Sequence, residues 1–188
     1  TVSLLALLII CVATAYACTT HLSLSRIAND GLQNYQAAYN LLNKGTFSTS
    51  PTGSPTMDRE PLPPVVLAAW LYANDLAETQ PQKMNKANGI LRVKSFNILW
   101  VILSVCGAYV GVVLLTGSFI GALVGAAVTG WTLSSWGHGL NTMYTEPQTA
   151  ALLIGLSCIS FQVVRKKSWP WAVSLGAGLG LLALTKAL

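Results

Sequence analysis

Charge is what this chain has least of. Asp, Glu, Lys and Arg make up 9% of its 188 residues, against roughly 25% in a soluble domain. The shortage is concentrated: no charged residue occurs between Lys94 and Glu146, and none between Glu146 and Arg165. An ionisable group at mid-depth in a bilayer costs about 2.5 to 3.5 kcal/mol. Runs of this kind therefore suit hydrocarbon and exclude water as the solvent for most of the surface.

Catalytic constellations are absent as well. Apart from Lys186 at the far end, the proposed spans hold no Asp, Glu, Lys or Arg, so no acid, base and nucleophile converge there. Asp75 and Glu78 are expected to share a helix with Trp70 and Tyr72, three residues apart and so on one face, with no histidine, cysteine or metal partner beside them. No phosphate-cradling glycine loop and no Ser/His/Asp order can be found. A non-enzyme is expected, with no catalytic and no metal-binding residue assigned.

The net charge is +5, but seven of the eleven basic residues are interleaved with five acids between 19 and 96. No basic stripe forms, which argues against nucleic acid and for cations near anionic lipid headgroups. The four cysteines, Cys11, Cys18, Cys106 and Cys158, show no CxxC and no Cys/His spacing suited to a metal, and read as small core residues.

What is present is a set of apolar runs. A span needs about 20 residues, and Asn97 to Thr116, Ser118 to Trp136, Pro147 to Val164 and Trp169 to about Ala187 supply four. Thr116-Gly117-Ser118 predicts a tight hairpin, and Pro147 lies where a first helical turn tolerates proline. Interfacial aromatics agree with this division: Trp100, Trp131, Trp136 and Tyr144 fall at one face, Trp169 and Trp171 at the other.

The expected fold is thus an all-α integral membrane protein in three parts. Residues 1–18 form an N-terminal anchor helix, and residues 19–96 an extramembrane segment with two short helices and a Ser/Thr/Pro loop. Residues 97–188 form a glycine-rich four-helix transmembrane bundle. One short helix is expected to end at Lys44-Gly45, and the other to run from Pro63-Pro64 through VVLAAWLYANDLAETQ and lie on the membrane interface or the bundle. The loop from Thr46 to Pro64 is expected to need a partner surface to order it, which makes residues 19–96 the expected docking module.

Glycines at i and i+4 let membrane helices approach closely. Gly107 and Gly111, then Gly117, Gly121 and Gly125, then Gly176 and Gly180 are accordingly the expected helix-packing positions. His138, in WGHGLNTMY, stands near the headgroup level, where an imidazole can be solvated or can ligate haem or a chlorin. No cofactor is otherwise indicated.

The stretches TGSFIGALVGAAVTGW and VVRKKSWPWAVSLGAGLGLLALTK resemble the transmembrane protein 14 family and its plant fatty-acid-export relatives. The likeness lies in a Gly-Ser pair opening a glycine-rich span and a basic residue and proline before the last span; Trp169-Pro170-Trp171 departs from the family's usual Pro-Ala-Gly. The resemblance implies a small organellar or endomembrane protein linked to export of lipids or porphyrin precursors.

Two functions follow as expectations. One is a non-catalytic accessory subunit of a larger, energy-converting assembly in an organellar inner or thylakoid-type membrane, with other membrane subunits and lipids as partners. The other is a small transporter of apolar cargo.

Overall fold

The computed structural model describes residues 2–25, 27, 29–56, 59–81, 87–143 and 145–185. Tyr144 and Lys186, singled out above, lie outside the described residues. Among the described residues the chain is helical, with no strand. The described residues form nine helices in order: α1 (Val2–His21), α2 (Asn29–Lys44), α3 (Leu62–Ala73), α4 (Ala87–Lys94), α5 (Phe96–Thr116), α6 (Phe119–Ser135), α7 (Gly137–Thr142), α8 (Glu146–Lys166) and α9 (Trp169–Thr185).

Among the described residues three segments are long and apolar enough to cross a membrane: Val2–His21, Gly89–Thr116 and Glu146–Lys166. The 21 residues of α5 span about 31 Å at 1.5 Å per residue. The apolar helices α6 and α9 have 17 residues each, about 25 Å.

The hairpin between α5 and α6 is made by local chemistry. Gly117 takes the left-handed conformation (φ 69°) that ends α5, and its N–H bonds the Val113 carbonyl. Ser118 then caps α6, its Oγ accepting from the Gly121 N–H at 3.1 Å.

Helix register follows from close approaches. Gly107 meets Ile154 and Gly111 meets Cys158, so α5 and α8 run parallel. Gly178 meets Leu156, so α9 runs back along α8. The central helix is α5, packed against α6 on one side and α8 on the other. Helix α1 lies on α6 and α5, while α9 leans on α8 with a smaller contact to α3. The arrangement is closer to a row than to four helices around one axis.

Residues 19–96 differ from expectation in four ways. The anchor helix continues to His21, and the polar segment holds three helices, α2, α3 and α4. Helix α3 stops at Ala73 because Asn74 caps it and Asp75 takes a positive φ (55°), which turns Leu76 back into the core. Asp75 and Glu78 are therefore not on a helix with Trp70 and Tyr72.

The fourth difference concerns the Ser/Thr/Pro loop, which is held by the chain's own α2. Asn40 is fully buried and its Nδ2 donates to the carbonyls of Ser48 and Ser50, both at 2.8 Å. Lys44 Nζ reaches the Pro51 carbonyl at 2.8 Å, and the Thr56 N–H bonds the Phe47 carbonyl at 3.1 Å. Arg59 pairs with Asp30 and donates from Nε to Gln33 at 2.6 Å. The bonds that hold the described part of this loop are thus made to the chain's own α2 and within the loop itself.

The core of this segment is continuous with the apolar helices. Tyr35, Leu67, Leu71, Ile90 and Val93 pack with Phe96 and Met143. Trp70 and Trp100 each stand 6.0 Å from the Phe96 ring. Tyr35 donates its hydroxyl to the Thr79 carbonyl at 2.9 Å, and burial, with Tyr39 nearby, pushes its ionisation above the ordinary range.

Candidate functional site: a glycine-lined groove and a buried lysine

A groove of about 280 Å³ opens over α5 between α6 and α8, its floor and walls including Gly107, Gly111, Gly125, Thr129, Ser157 and Cys158. Three glycines give it depth. A Cβ at Gly107 would stand 2.8 Å from Ile154 Cγ2, one at Gly111 would stand 3.2 Å from Cys158 Sγ, and one at Gly125 would stand 3.2 Å from Val112 Cγ2. Each helix pair thus approaches through a missing side chain.

The polar groups that line the groove are already used. Thr129 donates to the Gly125 carbonyl and Ser157 to the Leu153 carbonyl, both at 2.8 Å, and the Cys158 thiol points to the Gly107 carbonyl at 3.6 Å. An occupant would meet methyl groups and glycine backbone, a surface that suits an apolar chain or helix and offers nothing to orient a polar substrate.

The other glycines singled out by spacing are placed differently. Gly121 lies near Ser118 and Val112, at the hairpin. Gly117 is the helix cap, with nothing within 4 Å of its would-be Cβ. Gly176 and Gly180 also face open space, and the glycine of α9 that meets α8 is Gly178, whose Cβ would stand 2.5 Å from Leu156 Cδ2. Residues 176 and 178 differ by about 200° around a helix, which is why neighbouring glycines look in opposite directions.

His138 sits on the six-residue α7, exposed, and does not line the groove. Its carbonyl accepts from Thr142 Oγ1 at 2.9 Å. The second histidine, His21 at the end of α1, packs on the neighbouring Gly137. Among the described residues no group of three or more His, Cys, Asp or Glu could hold a metal ion.

Beside α7 the structure gathers a site that the sequence did not announce. Lys94, the last cation before the uncharged run, is fully buried. Its Nζ donates to the carbonyls of Ser23 (2.7 Å) and Ser25 (2.9 Å), to Ser25 Oγ (3.2 Å) and to Asn141 Oδ1 (3.1 Å). Asn141 completes the knot, donating from Nδ2 to the carbonyls of His21 (2.7 Å) and Gly137 (2.8 Å). One ammonium therefore ties the end of α1, the α4–α5 junction and α7 together. A buried cation costs several kcal/mol unless its protons are met, and here oxygens meet them. Only the position of Lys94 at the edge of the apolar run hinted at this.

No protein-family model matches the chain, and neither does any curated protein or solved structure.

Proposed function

We propose that this chain is a membrane-embedded, non-catalytic accessory subunit of a larger assembly, its row of apolar helices set in the hydrocarbon and its outermost helix turned toward a neighbouring subunit. The observation that carries the reading is the one-sided packing of α9. Among the residues described in this helix only Thr185 is buried, while Val173, Leu179, Leu181 and Leu184 are exposed. Gly178 is spent on α8, yet Gly176 and Gly180 form a small-xxx-small pair with open space before them. In lipid such a pair has value only against another helix, since apolar side chains gain nothing by leaving acyl chains for protein.

Extraction of native membranes in mild detergent tests this. The chain should migrate in a particle far larger than itself, and Gly176→Leu should release it from that particle while the free chain keeps its helicity. A wild-type chain that runs alone under conditions that preserve other assemblies would overturn the reading.

The groove over α5 favours a second reading, transport or export of an apolar cargo, because its lining is apolar and its polar groups are internally satisfied. The resemblance to the fatty-acid-export relatives points the same way. An organellar inner or thylakoid-type membrane suits either role.

A further inference from the structure

We propose that Cys11 and Cys106 are a disulfide-forming pair, an oxidisable clasp between α1 and α5. The four free cysteines are not equivalent. Cys18 is fully buried, and the Cys158 thiol is turned to the Gly107 carbonyl at 3.6 Å. The sulfurs of Cys11 and Cys106 instead face each other at 3.8 Å, near the middle of their helices, and both residues are half-buried. Two thiols in van der Waals contact need to close by less than 2 Å to reach the bonded separation of about 2.05 Å.

The surroundings select the oxidant. Cys11 packs with Leu7 and Ile10 against Val105, Tyr109, Ala122 and Ala126. Helices α1, α5 and α6 carry no Lys or Arg to stabilise a thiolate, so exchange with a charged aqueous disulfide is disfavoured. The oxidant that fits is an apolar two-electron, two-proton acceptor of quinone or azo type. Two S–H bonds break and one S–S bond forms, and both electrons and both protons pass to the acceptor, which leaves as the hydroquinone or hydrazine.

Closure has a structural consequence. The pair is separated by 95 positions in sequence, so the bond would close a loop containing all of α2, α3 and α4 and fix α1 to α5 covalently. Reduced, α1 is held to α5 and α6 by packing and to the α7 region by the Lys94 and Asn141 bonds. The clasp is a property of the chain by itself and does not depend on any partner subunit.

The test uses the full-length chain in sealed vesicles treated with diamide, then alkylated and mapped by mass spectrometry. The expected result is loss of two of the four free thiols, with the peptides of Cys11 and Cys106 joined and the link reversed by dithiothreitol. Cys11→Ala should leave Cys106 alkylatable, whereas Cys18→Ala should leave the link intact. The wild-type map decides without reference to whether a variant folds. Four free thiols after a treatment that fully oxidises a lipid-soluble dithiol control, or a link made instead through Cys18 or Cys158, would overturn the proposal.

Discussion

Two buried polar side chains do work at the residue scale that apolar packing cannot do. Asn40 holds the loop to α2 through two carbonyls, and Lys94 holds three helix ends through four acceptors. A lysine suits the second place because its long stem crosses the apolar layer while three donors remain at the tip. Replacing it by methionine keeps the stem and strips the donors, leaving the carbonyls of Ser23 and Ser25 short of a partner. Lys94→Met should therefore lower stability by about 2 to 3 kcal/mol, read as a fall in the thermal midpoint of the detergent-solubilised chain. A variant as stable as the wild type would mean that water satisfies these oxygens in the native protein. Little of this is legible in the sequence, where Lys94 differs from Lys86 only by its nearness to an apolar run. Its acceptors come from residues about 50 to 70 positions away in the chain, and local patterning cannot report a contact at that range.

At the scale of elements, the long helices were readable because their boundaries carry chemistry. Gly117 and Ser118 punctuate α5 and α6, Pro147 opens α8, and uncharged runs mark the interiors. The short helices α4 and α7, of eight and six residues, were not readable, since one or two turns leave too little periodicity to separate from loop. The end of α3 is not legible either, because Leu76 keeps helical spacing with Tyr72, four residues before it, although a turn is what brings it into the core. Small-residue spacing located glycines worth examining, but their facing depends on which helix lies alongside. Gly107→Ala and Gly176→Ala make that difference measurable. The first puts a methyl 2.8 Å from Ile154 Cγ2 and should cost about 1 to 3 kcal/mol. The second meets nothing within 4 Å in the chain itself and should be neutral or favourable by up to about 1 kcal/mol through helix propensity. Equal effects in thermal unfolding of the isolated chain would contradict the assigned faces of α5 and α9.

At the scale of the whole molecule, the exposed surface is apolar enough to suit a membrane. Leu4, Leu5, Leu8, Ile9 and Val12 of α1, Ile120, Val124 and Val128 of α6, and most of α9 point outward. In water so much exposed apolar surface would drive association; in hydrocarbon it would be the ordinary outer face of a helix row. The polar segment of α2, α3 and α4 then lies at the end of the row where α5 begins, and the turn carrying Arg165, Lys166 and Lys167 lies at the other. This placement underlies the groove, the free face of α9 and the subunit reading alike. Its direct test is thiol labelling in sealed vesicles, with Arg92→Cys and Lys167→Cys introduced singly into a chain whose native cysteines are replaced by alanine. An impermeant maleimide added outside should label one of the two positions before permeabilisation and the other only afterwards. Labelling of both from the same side of intact vesicles would contradict the account.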